Sequence, residues 1–273
     1  MEDWFQVENF KEYIPFSTWN SFDLRVEKNT TKILDLLDTF PFKPKATFFI
    51  LGWIAEKLPD LVRQIHDRGH EVASHGFNHH LPGSLDPSVL AADLAASKAA
   101  LETIINHTVY GFRAPSFAID DTVLTAVAQA GYTYDSSFNS FSGHGRYGTI
   151  DLSSAHKNQG CYRMDTAFYE LPISNLTIKD KIIPLGGGGY FRLLPFSAFK
   201  QGMHHVLKKE NTFIFYAHPW EFDPAQPRVN QASRSFKFRH YVNLHRTEKK
   251  LTALINTFAH HQFTTCAHHL GIS

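Results

Sequence analysis

Cysteine is nearly missing from this sequence. Cys161 and Cys266 are the only two, far apart and without a CxxC pair, which removes both a disulfide framework and a thiolate zinc site and suits a reducing compartment. An excess charge of one sign is lacking too. Lys plus Arg number 27 against 26 Asp plus Glu, a formal net charge of +1, and no block of like charges stands out, so nucleic acid and anionic membranes gain no electrostatic support as partners. No run of about 18 apolar residues is present to span a bilayer. Met1-Glu2-Asp3-Trp4 opens acidic, the opposite of a basic stretch leading into an apolar one, and predicts a cytoplasmic location. What the chain does hold is 43% hydrophobic residues, 14% aromatics and 17 histidines over 273 residues. That is enough apolar material for one sizeable α/β domain, predicted to cover 1–273.

Along the chain, helix patterns alternate with strand patterns. VEKNTTKILDLLDTF places Ile33, Leu36, Leu37 and Phe40 on one helical face, with Asn29 and Thr30 as candidate caps. KATFFILGW then reads as a buried strand, 55–68 as a helix stopped by Gly69, and HEVASH as the next strand. Asp86-Pro87 opens a helix through Ile105, GFRAPSF marks a strand end or loop, 120–130 reads as a helix and YTYDSS as a strand. FYELPIS, TFIFYAHPW and QFTTCAHHL are further expected strands, helices are expected near 197–209 and 248–260, and 140–159 reads as a long loop. Such βα repetition predicts a mostly parallel sheet, barrel or doubly wound, with chemistry at the C-terminal strand ends.

Three of those strand ends carry reactive side chains. SHGFNHH sets His75 and His79 four residues apart, a spacing that lets two imidazoles chelate one ion. Asp3 is the candidate anionic third ligand, with Glu2 behind it. In RAPSF, Pro115 stiffens the backbone, Arg113 is suited to hold a carboxylate, and the Ser116 N–H to donate to an oxyanion. FIFYAHPWE ends an apolar run in His218, which suits a general acid working near neutrality. Asp135, at the end of YDSS, is expected to orient His218 or pair with Arg113. The glycines 186–189 lack the Lys-Ser/Thr of a phosphate loop and read better as a place of close backbone approach.

In this order, EDWFQVENF, KATFFILGW, GHEVASHGFNHH, GFRAPSFAI, GGGGYFRLLP, FYAHPWEFDP and RHYVNLHRTE resemble the polysaccharide deacetylases of carbohydrate esterase family four, and within them the subgroup linked to bacterial exopolysaccharide export loci. The likeness runs over almost the whole chain. It implies a distorted (β/α) barrel and metal-dependent removal of N-acetyl groups from an amino-sugar polymer. It also implies a divalent ion, zinc foremost, on Asp3, His75 and His79, with His218 as the acid that protonates the leaving amine. Trp4, Phe117, Tyr190, Phe191 and Trp220 become candidate platforms for sugar rings. One departure stands out: the family motif runs Asp-Val-Glu-Asp from an apolar strand, whereas this chain starts Met1-Glu2-Asp3. The first strand and the Asp that serves as base therefore have no counterpart, and the chain as given is expected to turn over poorly. A carbohydrate-binding relative lacking the base, or a hydrolase of a small amide, are the alternatives.

Overall fold

A computed structural model of the protein describes residues 1–141, 143, 147–164 and 167–272. Its repeated strand–helix units begin with α1 (Val26–Asp38) and β1 (Thr47–Ile50), followed by α2 (Gly52–Lys57), α3 (Pro59–Asp67) and β2 (Glu71–Ser74). Next come α4 (Pro87–Ile105), β3 (Gly111–Phe112), α5 (Asp121–Gln129) and β4 (Tyr134–Asp135). Pro at the first position of α3 and α4 satisfies the helix start, where its missing N–H costs nothing. Asp120 caps α5 by accepting from Val123 N–H. The second half holds β5 (His156–Asn158), β6 (Cys161–Arg163), β7 (Tyr169–Glu170), the hairpin β8 (Asn175–Ile178) and β9 (Lys181–Pro184), then α6 (Gly188–Leu193), α7 (Phe196–Glu210), α8 (Arg234–Tyr241), α9 (Thr247–Thr257) and α10 (Cys266–Leu270). Part of the loop expected over 140–159, namely 142 and 144–146, lies outside the described residues, and its last residues form β5.

The main sheet runs β1-β2-β3-β4-β7-β6-β5, with the first five parallel and the last two added antiparallel. Its ladder is open among the described residues, so the expected barrel is not closed by paired strands. The sequence pattern misled at three places. The segment around Ile214–Tyr216 was expected to be a strand, but it forms no ladder: Tyr216 makes an isolated bridge to Gly187 and donates to the Gly186 carbonyl, while Ile214 accepts from Ser174 N–H and donates to the Ser174 hydroxyl. QFTTCAHHL instead ends in α10, because the Thr265 hydroxyl accepts from His268 N–H and starts a helix there. Asn29 and Thr30, expected as caps, lie buried inside α1. Residues 1–25 form short 3-10 turns, Glu8–Phe10 and Phe16–Ser21, with the Met1 carbonyl 3.5 Å from Leu51 N at the C-terminal end of β1. One large apolar core, including Phe5, Phe10, Leu34, Ile54, Leu94 and Phe112, holds the N-terminal turns against β1 to β3 and α1 to α5.

Candidate metal centre and active site

β2 ends at Ser74, and the chain turns sharply at Gly76, whose φ of 74° suits glycine. The turn is pinned to α4: the Ser74 hydroxyl meets that of Ser97, and Phe77 N–H donates to Asp93. His75 and His79 therefore leave the C-terminal end of β2 buried and near one another, with ring centroids 5.4 Å apart. His75 Nδ1 lies 2.7 Å from the Arg113 carbonyl, a partner that fixes the tautomer leaving Nε2 as the free ligand atom. The third member of the cluster is Glu2. Its Oε2 stands 2.6 Å from His79 Nε2, and ligand atoms of Glu2, His75 and His79 all lie within 4.8 Å of one another. Burial alone would raise the Glu2 carboxyl, but the charge and hydrogen bond of His79, with His218 and His75, hold it well below the carboxylate range. Burial drives His75 well below its ordinary value, so its imidazole is neutral, the form that binds a metal.

Asp3 is not part of this cluster. Its Oδ2 accepts from the N–H groups of Arg25 and Val26, at 2.6 and 2.8 Å, and its Oδ1 from Trp4 N–H at 2.8 Å. Its oxygens are committed to the start of α1, and the carboxylate beside the histidines belongs to its neighbour.

Arg113 and Asp135 are also placed differently from expectation. The Arg113 guanidinium donates to the carbonyl and hydroxyl of Ser136 and lies over the Phe49 ring at 4.1 Å. Among the described residues no carboxylate pairs with it. Asp135 touches neither His218 nor Arg113 by hydrogen bond; it accepts from the N–H and hydroxyl of Ser137, both at 2.7 Å. The Ser137 hydroxyl in turn accepts from Ala114 N–H, so Asp135 braces the RAPSF segment. Asp135 and Glu170 are partners in the β4–β7 register. Burial raises both; the Asp135 charge lifts Glu170 further, well above the carboxylate range, while the hydrogen bond from Glu170 works to lower Asp135, so the pair holds its proton on Glu170. Ser116 and Phe117 follow with left-handed φ of 55° and 59° at the wall of a cavity of about 910 Å³ that also meets Glu2, His75, His79 and His218.

His218 lines the same cavity, its side chain 30% exposed, with Nε2 3.7 Å from Glu2 Oε1. Its orienting carboxylate is Glu221, which the sequence reading did not select: Glu221 Oε1 accepts from the His218 backbone N–H at 2.9 Å and lies 3.0 Å from Nδ1. Glu221 is in turn paired with Arg192 at 2.7 Å. Burial works to raise Glu221, yet Arg192 and then His218 bring it down to about 2. Arg192 extends the network by donating to the carbonyls of Arg239 and His240. The spacing His218-x-x-Glu221 around Pro219 was the available signal, a reciprocal capping arrangement on one 3-10 turn. Of the expected sugar platforms, Trp4 and Phe191 are core residues, Trp220 is sandwiched between His218 and His240, and Phe117 and Tyr190 line the cavity.

Residues 15–134 match the family described as polysaccharide deacetylase, and 136–270 match a domain of unknown function, DUF3473. The first of these matches, to polysaccharide deacetylase, ends at Tyr134, the start of β4. Among curated proteins it is similar to the peptidoglycan-N-acetylglucosamine deacetylase of Bacillus cereus, 33% identical over 103 residues, covering 38% of this chain and 47% of that protein. It is also similar to the chitooligosaccharide deacetylase of Sinorhizobium fredii, 35% identical over 107 residues, covering 37% and 47%. The chain thus spans about half the length of these two relatives. In fold it is similar to a crystal structure from Mycobacterium smegmatis described as a polysaccharide deacetylase, with a TM-score of 0.59 at 18% identity, covering 89% of this chain and 76% of that one. The candidate site draws on both matched segments: His75, His79 and Arg113 from the first, His218 and Glu221 from the second, with Glu2 ahead of both.

Proposed function

We propose that the protein is a metal-dependent hydrolase that removes N-acetyl groups from an amino-sugar polymer, with Glu2, His75 and His79 holding the ion. The observation that carries this is the buried cluster of one carboxylate and two imidazoles within 4.8 Å at the end of β2, in a chain whose residues 15–134 match the polysaccharide deacetylase family. The donors fit zinc: two nitrogens and an oxygen leave a position open, as catalytic zinc sites do. The names of the two curated relatives, which act on peptidoglycan N-acetylglucosamine and on chitooligosaccharides, support the bond type. The motif resemblance to the export-locus subgroup supports an exopolysaccharide as the polymer.

When bound, such an ion supplies Lewis acidity and a water acidified towards a pKa of about 7. The chain's own residues do the rest. Ser116, in its left-handed turn at the cavity wall, presents its N–H to the oxyanion of the acetyl carbon. His218, held at Nδ1 by Glu221, delivers a proton from Nε2 to the departing sugar amine. Asp135 and Ser137 keep the Arg113–Phe117 segment in register with that site.

A second reading, a glycan-binding protein that turns over poorly, is favoured by Arg113 holding Ser136 rather than a carboxylate base. One experiment separates the two: acetate release and binding measured with N-acetylglucosamine oligomers, with added zinc and with a chelator. Zinc-dependent acetate release that falls by about 10² or more in His218→Ala supports the hydrolase. Binding without release supports the second reading, and neither binding nor release overturns both.

A further inference from the structure

We infer that α8 and the loop before it form a binding surface for an anionic stretch of the glycan, so that the second matched segment selects an acidic amino-sugar polymer. This rests on the hydrolase or glycan-binding reading of the site. Between Asp223 and Glu248 the chain carries Arg228, Arg234, Lys237, Arg239 and Arg246 and no acidic residue. The two flanking carboxylates are used elsewhere, Asp223 by Arg25 at 2.6 Å and Glu248 by Lys32 at 2.6 Å. Arg228, Arg234 and Arg239 are exposed, and no carboxylate pairs with them among the described residues. These cations are separated along the sequence by neutral and aromatic residues, which is why no charge block shows.

An exposed ring lies among them. Phe238 is 57% exposed, and together with Arg239 it lines the same cavity that meets Glu2, His75, His79 and His218. A solvent-facing ring beside an unpaired guanidinium at a cavity mouth matches a sugar ring that carries a carboxylate or phosphate: the ring face stacks and the cation pairs. The surface is also fixed relative to the reacting end. Arg192 grips the carbonyls of Arg239 and His240 while its Nε holds Glu221, and His240 stacks on Trp220 at 4.0 Å, which stacks on His218 at 5.1 Å. A polymer anchored on α8 therefore meets the acid at a set spacing.

The test is binding calorimetry at low salt with two octamers, one alternating N-acetylglucosamine with glucuronate and one of N-acetylglucosamine alone. The acidic octamer should bind more tightly, and raising the salt should shrink the difference. Arg239→Gln and Arg234→Gln should each weaken the acidic octamer by about fivefold, the upper range for an exposed charge pair, and leave the neutral one unchanged. Phe238→Ala should weaken both by about tenfold. Equal affinity for the two octamers, or a preference that survives both arginine substitutions, overturns the inference. So does displacement of the acidic octamer by a short RNA of equal charge, which would mark a general polyanion surface. If the neutral octamer still binds or releases acetate in those cases, the reading of the site stands; if neither octamer binds or is cleaved, that reading falls as well.

Discussion

Gly188 shows how closely single residues are matched around the acid. A Cβ built on it would stand 2.3 Å from Glu221 Oε1, so Gly188→Ala must push the carboxylate away from His218. The glycine run 186–189 was legible in the sequence as a place of close approach, but what approaches was not, since the partners, Glu221, Tyr216 and Ile214, come from a segment some thirty residues on. His218 was legible as a histidine closing an apolar run. Its orienting partner was sought in Asp135 because that residue also ends a strand, yet Ser137 takes both of its oxygens. If Glu221 positions the acid, Glu221→Gln should lower kcat by about tenfold or more with KM little changed, since a partner that orients a catalytic group acts on the chemical step. Gly188→Ala should reproduce that pattern, and Gly188→Ser should not rescue it. A rise in KM with kcat intact in Glu221→Gln would instead assign it to substrate binding.

At the scale of elements, α1 begins without a cap of its own: Arg25 is at the N-cap position and makes no side-chain bond there. Asp3, more than twenty residues earlier, supplies the cap by accepting from Arg25 and Val26 N–H. Removing a capping oxygen costs about 0.5–2 kcal/mol, and here Trp4 N–H loses its acceptor as well. Asp3→Ala should therefore lower the thermal midpoint by several degrees in a melting experiment, while metal content stays at the wild-type level. Adjacent Glu2 and Asp3 differ in role because successive side chains diverge, and nothing in an acidic dipeptide says which one turns towards the histidines. Helices were the legible elements: α4 starts and stops at the expected Pro87 and Ile105. The late strands were not, because an apolar run becomes a strand only where a neighbour offers a ladder, and Tyr216 finds one bridge.

Buried neutral histidines give the whole molecule one part of its pH dependence. Burial, then Arg192, lowers His240 to about 3, and burial, then Lys45, lowers His70 to about 4. Below its ordinary value of about 6.5 the unfolded chain takes up these protons while the folded chain does not, so the stability they contribute falls as pH drops from 6.5 towards 4. At pH 5 this amounts to about 2 kcal/mol for His240. Glu221, lowered to about 2, adds a further loss only below about 4.5. The raised Asp135–Glu170 pair works the other way, taking up a proton in the folded chain first, so the histidine contribution is read as a difference: from pH 7 to pH 5 the urea midpoint should fall more, or rise less, in the wild type than in His240→Gln, and equal changes in the two would contradict the assignment. At this scale the parallel βα order was legible from alternating patterns. That Glu2 rather than Asp3 meets His75, His79 and His218 was not, since it depends on how the first residues lie against the strand ends.

The central claim is that Glu2, and not Asp3, completes a metal site with His75 and His79. Its most direct test is the zinc content per chain, by elemental analysis after zinc loading and gel filtration, of the wild type and of Glu2→Ala, Asp3→Asn and His75→Ala/His79→Ala. One ion per chain is predicted for the wild type and Asp3→Asn, with well under one in Glu2→Ala and in the double histidine variant. Full zinc in Glu2→Ala together with loss in Asp3→Asn would contradict it, as would equal content in the wild type and the double histidine variant.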